Sequence, residues 1–484
     1  MSNHFSGWGF PIPLFGYVVV RGCRLIARSL EVQGFKSLRD VRIELMPGIN
    51  VVVGPNASGK SNIVDLFLFL RKALYDELGR VPYAPHLPWG DPRNLTWETS
   101  GLPVRVAIEY ELVLEKDVRQ TVIYEVVFGL EEGATLKPIE EYIRVPVLNA
   151  ALLRRGRRID VYLSRRWGRI EQLGTMMKKA ATLLGAAELE IRCDARGCYA
   201  GATVEKEFTS IFQLVPITYE PLFEALSDVI REFRDLTRRL SIRFYRSLSM
   251  GLVLPWPRIL NPCLELNRLL LVIRSFFARI VALRLIDYYR AKWPHRPSVR
   301  DRLEPDASNL AEVIYTLLND PEKRGKLESV VRSLFPWLRF SVEFDAYGNI
   351  VLKFYEERGG RLLELHPAMV PEGVIKLLTV MTGILLEPSI LVIDEIEDSM
   401  HARMIERLFD ELRGLETPVI LTTHSPVIVD LAGPERLIVL RRGSDGATIA
   451  ERVREPQKLR KMLEEEGVTL GYYYLHALPE EDTA

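Results

Sequence analysis

Hydrophobic positions in the first hundred residues predict a strand, a glycine-rich loop and a helix. Residues 30–32 and 41–45 alternate between apolar and polar side chains, as half-buried strands do, and residues 49–53 are a short apolar run typical of a buried strand. Glycine-rich sequence follows at once. Beyond it, apolar side chains recur at helical spacing from residue 63 to residue 74.

Two further segments have the pattern of antiparallel hairpins. Apolar residues alternate from 104 to 114, a polar turn lies at 115–117, and residues 122–128 continue as strand. A second alternating pair, 340–344 and 350–354, is separated by a turn containing Gly348-Asn349. We therefore expect an antiparallel β subdomain and a separate hairpin.

The C-terminal third alternates helices with strands. Periodicity predicts helices at 374–385 and 401–412 and strands at 390–393, 419–422 and 437–440. Such alternation favours a parallel sheet covered on both faces. From about 152 to 298 the pattern is irregular, rich in arginine and mainly helical, as expected of an insertion.

These patterns predict an α/β fold of the P-loop NTPase type, with a parallel core sheet, an antiparallel β subdomain and a mainly helical insertion. The expected segments are an N-terminal tail (1–23), the first part of the head (24–150), a helical, arginine-rich insertion (151–299), the second part of the head (300–442) and a C-terminal extension (443–484).

Composition narrows the functional classes. Lysine plus arginine equals aspartate plus glutamate at 64 each, so no global field draws the protein to a polyanion or a membrane. Four cysteines are too few for a disulfide framework, and we interpret Cys193 and Cys198 as ordinary thiols in or near a turn of a protein from a reducing compartment. The apolar stretch 7–20 is too short to span a bilayer, so we expect a cytoplasmic protein without a transmembrane segment.

The strongest chemical motif lies between the predicted strand 49–53 and the following helix. Glycines at both ends of the motif G-x-x-x-x-G-K-S let the backbone curl and aim N–H groups at phosphate oxygens. Lys60 would add a positive charge at the β- and γ-phosphates, and Ser61 would offer a hydroxyl to Mg²⁺. The predicted nucleotide-binding residues are Gly54, Pro55, Asn56, Ala57, Ser58, Gly59, Lys60, Ser61 and Asn62.

A second motif is the apolar run 390–393, which ends in two carboxylates. Such a strand would deliver them to the carboxyl edge of a parallel sheet, where ligands of these sheets bind. We expect Asp394 to hold Mg²⁺ and Glu395 to orient or deprotonate the attacking water. A solvated acidic strand end is the alternative interpretation.

One strand later, Thr422-Thr423-His424-Ser425 again places polar residues after an apolar strand. A neighbouring parallel strand would bring His424 toward the γ-phosphate. The segment 397–401 could contact a second subunit, or it could be an ordinary helix start capped by Ser399.

Together these residues resemble the ABC-type AAA family related to RecF and the SMC proteins. The resemblance covers about 24–130 and 300–442 and rests on the motifs Gly34-Phe35-Lys36-Ser37-Leu38, 54–62, Asp306-Ala307-Ser308-Asn309-Leu310, Asp394-Glu395 with His401, and Thr423-His424-Ser425-Pro426. The interval between the two halves is too short for long coiled-coil arms, and too little chain follows for a Toprim domain. The resemblance thus implies a stand-alone ATPase head.

The family resemblance implies that ATP is held between two heads, each supplying a signature loop to the other's nucleotide. Here the matching stretch is 370–376, in which Gly373 takes the place of the signature glycine. Pro371 stands where the family usually has serine, which removes a hydroxyl donor. No residue matches the glutamine loop.

Two functions remain open. The resemblance implies a DNA-linked ATPase in repair, maintenance or defence, and the basic runs 154–158, 165–166 and 238–239 would serve DNA binding. The alternative is a nucleotide-switched interaction module that controls a separately encoded effector. Arginine runs are usually solvated surfaces, and arginine-rich composition also accompanies growth at high temperature.

Overall fold

The fold is seen in a computed structural model of the 484-residue chain. The described residues are 24–75, 85–113, 119–131, 135–146, 149–164, 173–175, 177–178, 181, 186–204, 262–296 and 302–474. The N-terminal tail, the pair 165–166 and the whole span 205–261, which includes the pair 238–239, lie outside them.

A six-stranded sheet forms the centre of the molecule. Its strands, in spatial order, are β11 (Ile280–Leu283), β15 (Ile390–Ile393), β16 (Pro418–Thr422), β3 (Gly48–Val53), β17 (Leu437–Arg442) and β18 (Thr448–Arg452). Neighbouring strands are parallel except for the antiparallel pair β17 and β18. The four strands β11, β15, β16 and β3 are buried on both faces, which explains why their sequences are almost entirely apolar.

A nine-stranded antiparallel sheet packs on one face of the central sheet. Its order is β2-β1-β4-β5-β6-β7-β8-β10-β9. Its strands are β1 (Arg24–Phe35), β2 (Leu38–Glu44), β4 (Val104–Val113), β5 (Arg119–Glu131), β6 (Thr135–Val145), β7 (Ala150–Arg155), β8 (Arg158–Ser164), β9 (Ala186–Cys193) and β10 (Gly197–Val204). The first predicted hairpin is therefore present, as β4 and β5.

The helices cover both faces of the central sheet. They are α1 (Lys60–Leu74), α2 (Pro262–Ala278), α3 (Leu310–Leu317), α4 (Pro321–Leu334), α5 (Glu372–Leu385), α6 (Ala402–Arg413), α7 (Pro426–Ala432), α8 (Pro456–Glu466) and α9 (Leu470–Tyr472). Among the described residues, no helix is both long enough and apolar enough to cross a bilayer.

Two hydrophobic clusters lie on opposite faces of the central sheet, because successive residues of a strand point to opposite faces. Val52 and Val392 join α1, α2 and the inner face of the nine-stranded sheet. Val51 and Ile393 join α3 to α7 and a smaller sheet on the opposite side. That sheet contains β12 (Leu338–Phe344), β13 (Ile350–Arg358) and β14 (Arg361–Leu365). The second hairpin is thus present, with a third strand added.

The helical character expected for 151–299 is wrong over its first part. Residues 150–164 and 186–204 contribute β7 to β10, and the alternation of Ile159, Val161 and Leu163 in β8 fits a strand. The segment also ends inside the head, because β11 pairs with β15. Similarly, β18 belongs to the central sheet, although it falls in the expected C-terminal extension.

The interpretation of Cys193 and Cys198 as free thiols is also wrong. The two residues face each other across the antiparallel pair β9 and β10 and form a disulfide. The hairpin register brings them together, and a five-residue separation gave no indication of it. A disulfide does not support the reducing compartment that we inferred from the number of cysteines.

Candidate nucleotide site

The phosphate loop joins β3 to α1 in a tight turn. Gly59 has φ 104°, in the region that only glycine adopts easily. A methyl group at Gly54 would clash with the carbonyl oxygen of Leu440, and one at Gly59 would clash with the Thr448 hydroxyl. The neighbouring strands β17 and β18 therefore pack closely against the loop, and only glycine at positions 54 and 59 leaves room for them.

Lys60 lies folded onto this loop. Its Nζ donates to the carbonyl oxygens of Gly54 at 2.7 Å and Pro55 at 2.8 Å. Burial lowers the pKa of Lys60, while the nearby charges of Glu395, Asp394 and Glu397 act in the opposite direction. The lysine thus lies in the field of the carboxylates that follow β15.

A hydroxyl cluster supports the loop from below. The Ser37 Oγ lies 2.6 Å from the Thr448 Oγ1 and accepts from the Asn62 side-chain amide at 2.6 Å. Thr448 in turn donates to the Ser58 carbonyl at 2.9 Å. Ser37 and Asn62 belong to the motifs that carry the family resemblance, but Thr448 was missed because it is 390 residues away in the sequence.

Asp394 follows β15 at the carboxyl edge of the central sheet, as predicted. The Thr422 hydroxyl, at the end of neighbouring β16, donates to its Oδ1 at 2.6 Å. On the other side, the Arg284 Nε lies 3.4 Å from its Oδ2. Arg284 follows β11 directly and was not predicted, although a polar residue after the apolar run 280–283 repeats the pattern of the other two strand ends.

Glu395 is exposed and has a left-handed backbone, with φ 46°. Two contacts hold this backbone: its N–H donates to the Thr422 Oγ1 at 2.9 Å, and its carbonyl accepts from the Lys376 Nζ at 3.1 Å. Burial lowers the pKa of Lys376, and Asp398, Glu397, Asp394 and Glu395 oppose that effect. The strained turn leaves the Glu395 carboxylate accessible to water.

His424 lies two residues beyond β16. In the sheet, β16 lies between β3, which leads into the phosphate loop, and β15, which leads into Asp394. Its side chain is exposed, and its backbone N–H donates to the Glu397 Oε1 at 2.5 Å. The topology therefore places His424 at the predicted edge of the sheet.

Gly373 is buried in the first turn of α5. A methyl group there would lie 2.6 Å from the Ser399 carbonyl oxygen, so the glycine permits close packing against the loop after Glu395. Pro371 is the N-cap residue, and the neighbouring Glu372 carboxylate accepts from the Ser399 hydroxyl at 3.1 Å. The N-cap of α6 is His401, so the alternative interpretation of Ser399 as the capping residue is wrong.

The motif 306–310 builds a turn before α3. The Asn309 side chain donates to the Arg302 carbonyl at 2.8 Å and accepts from the Glu304 N–H at 2.9 Å. Nearby, the Arg284 N–H donates to the Pro305 carbonyl at 2.8 Å. This turn therefore packs beside the strand end that carries Arg284.

The arginine run 154–158 is largely paired. Arg154 is buried and donates to the Glu141 Oε2 at 2.8 Å, and Glu141 also accepts from Tyr124 at 2.8 Å. Arg155 and Arg158 form exposed ion pairs with acidic neighbours. The run is therefore not a free basic patch.

The donor set fits Mg²⁺ held together with a nucleotide. No group of three or more acidic, histidine or cysteine side chains in the described residues is arranged to hold a metal alone. Ser61 is the second residue of α1 and Asp394 directly follows β15, which gives one hydroxyl and one carboxylate. Such sparse protein ligation is usual when phosphates and waters complete the shell.

Family models match the two halves of this site separately. Residues 29–137, with the phosphate loop, match a model described as "AAA domain". Residues 219–430, with Asp394, Glu395 and His424, match one described as "AAA domain, putative AbiEii toxin, Type IV TA system". These matches confirm the resemblance to ABC-type, SMC-like AAA proteins.

Curated relatives match over short segments. The chromosome partition protein Smc of Desulfitobacterium hafniense (strain Y51) is 59% identical over 39 residues, 8% of this chain and 3% of the relative. Smc of Methanocaldococcus jannaschii is 46% identical over 42 residues, 9% of this chain and 4% of the relative. The matched segments thus span only a few per cent of the length of these relatives.

Two of the solved structures that are similar to this chain are SMC head domains. One is the Smc head domain of Pyrococcus furiosus, bound to the C-terminal domain of ScpA, which is 15% identical with a TM-score of 0.38. The match covers 92% of this chain and 100% of that one. The SMC head domain from Thermotoga maritima is 14% identical with a TM-score of 0.36 and covers 89% of this chain and 99% of that one.

Proposed function

We propose that this chain binds ATP with Mg²⁺ and hydrolyses it to ADP and phosphate. One observation carries the proposal: the phosphate loop and the Asp394-Glu395 pair lie at the same edge of one parallel sheet, with Lys60 in the field of both carboxylates. AAA-domain models that match both halves support it.

Each residue has a definite role in this proposal. The loop amides and Lys60 would bind the phosphates, while Ser61 and Asp394 would hold Mg²⁺, which neutralises phosphate charge when bound. Thr422 fixes the Asp394 carboxylate and the Glu395 backbone together. Exposed Glu395 would take a proton from the attacking water, and His424 would stabilise the γ-phosphate.

Replacing Lys60 by alanine tests the binding step. We expect the variant to lose at least about tenfold in affinity for a fluorescent ATP analogue, since a charged contact to phosphate is removed. Lys72→Ala, an exposed change at the other end of α1, is the matched control and should bind as the wild type does. Equal affinity of the two folded variants would refute the phosphate-loop assignment.

We also propose that ATP joins two copies head to head, although two residues weaken that contact. Pro371 offers no hydroxyl, and the Glu372 carboxylate lies at the helix N-terminus that a partner's γ-phosphate would approach. Like charges at that position oppose phosphate binding. The dimer would therefore be weak and nucleotide-dependent.

For the biological role, the pairing of the arginine run favours a nucleotide-switched module that controls a separately encoded effector. Arg154 is buried and Arg155 and Arg158 are ion-paired, which removes much of the basis for DNA binding through this run. A description naming a toxin of a toxin–antitoxin system is compatible with such an effector. A DNA-linked role remains the competing proposal.

A cytoplasmic location is likewise a proposal. It accommodates the Cys193–Cys198 disulfide in a cell whose cytoplasmic proteins retain disulfides, as those of hyperthermophiles do.

A further inference from the structure

A series of ion pairs links Lys36, beside the phosphate loop, to Asp394. Lys36 contacts Asp65 in α1 at 2.5 Å, Asp65 also pairs with Arg284, and Arg284 reaches Asp394. Asp65 is buried and its two oxygens are divided between the two cations. The carboxylate assigned to Mg²⁺ is thus already neutralised by a residue that the ATPase motifs do not include.

The two ends of the Arg284 guanidinium are held differently. Its Nη1 forms a hydrogen bond with the Asp65 Oδ1, whereas its buried Nε faces Asp394 at 3.4 Å without forming a hydrogen bond. The contact with Asp394 is therefore electrostatic and not directional. Arg284 can leave Asp394 while it stays attached to Asp65.

Space for that movement lies beside the arginine. The residues that line an open cavity of about 510 Å³ include Arg284, Leu285, Glu304, Asp306 and Ser308. Asp306 contributes a carboxylate to this lining, which favours a cation there. The side chain of Arg284 is already 28% exposed.

We propose that Arg284 is a placeholder cation: it neutralises Asp394 in the nucleotide-free protein, and Mg²⁺ displaces it toward the cavity. The proposal rests on the proposed ATP site. Two cations that share one carboxylate repel each other, so Arg284 raises the Mg²⁺ concentration that nucleotide binding requires.

The test is a Mg²⁺ titration of the full chain with a fixed amount of a fluorescent, non-hydrolysable ATP analogue. Arg284→Gln removes the competing charge, so half-maximal binding should need about fivefold less Mg²⁺, the factor that corresponds to a partly buried ion pair. Arg284→Lys keeps the charge and should stay within about twofold of the wild type. Arg290→Gln, an exposed change six residues away, is the matched control.

A second variant shifts the requirement in the opposite direction. Ser308→Tyr fills the cavity, hinders the displaced arginine and should raise the Mg²⁺ requirement. An unchanged or higher requirement in folded Arg284→Gln overturns the placeholder role, and if that variant does not fold, an unchanged requirement in Ser308→Tyr does so. Failure of the wild type to bind the analogue would instead overturn the ATP site itself.

Discussion

Arg154 is one of the largest fully buried side chains in the described part of the chain. Its guanidinium contacts Glu141 and the Pro138 carbonyl at 2.8 Å each, and Glu141 also accepts from the Tyr124 hydroxyl. Removing one partner of a buried pair leaves the other charge without compensation, which costs far more than an exposed ion pair contributes. Arg154 therefore serves the fold of the nine-stranded sheet.

This role gives a prediction for the arginine run. Arg154→Ala should lower the free energy of unfolding by about 3 kcal/mol, whereas the exposed neighbour Arg157→Ala should change it by less than about 0.5 kcal/mol. Urea denaturation of both variants measures the difference. Equal, small effects would mean that the Arg154–Glu141 pair does not stabilise the sheet.

At the residue scale, the sequence predicted site residues that belong to local motifs and missed contacts between residues that are distant in the chain. The phosphate loop and Asp394-Glu395 were recognisable because each motif lies within a few neighbouring residues. Other contacts in the site join strand ends or hydroxyls that are far apart in the chain, and they are made by Thr422, Arg284 and Thr448. Only the topology of the sheet brings them together.

Helix α5 is the element on which the proposed head-to-head contact would depend. Its N-cap residue, Pro371, makes no side-chain capping hydrogen bond, and Glu372 places a negative charge in the first turn. Removing that charge should favour a partner's phosphate. A helix-terminal charge contributes about 0.3–1 kcal/mol, which corresponds to a roughly two- to fivefold change in association.

We therefore expect Glu372→Gln to strengthen ATP-dependent association about two- to fivefold, measured by light scattering in a Glu395→Gln background that retains ATP. Glu387→Gln, just beyond the other end of α5, is the control and should leave the mass distribution unchanged. Monomers in every sample with ATP bound would exclude the head-to-head contact.

Element prediction succeeded where periodicity was unambiguous. The two helices and two strands between residues 372 and 422 lie within two residues of the predicted bounds. In 150–164, arginines flank short alternating segments, and the irregular, arginine-rich pattern predicts helix where β7 and β8 pair. Tertiary pairing with β6 decides that segment, and local sequence does not report it.

At the scale of the whole molecule, two distant halves of the chain form one head. β3 comes from the first half, while β15, β16 and β17 come from the second, and they interleave in a single sheet. The chain between the two matched segments includes β7 to β10, which extend the antiparallel sheet beyond the strands that the first AAA model covers. The nucleotide site therefore depends on correct assembly of both halves.

The central claim is that this assembled site hydrolyses ATP with Glu395 handling the attacking water. The most direct measurement is phosphate release by wild type and Glu395→Gln under saturating Mg-ATP, with bound nucleotide quantified in the same samples. The account predicts that the wild type releases phosphate, and that the variant binds ATP equally well but releases phosphate at least about a hundredfold more slowly, the contribution typical of a general base. Phosphate release by the variant at the wild-type rate, or none by a wild type that binds ATP, would contradict it.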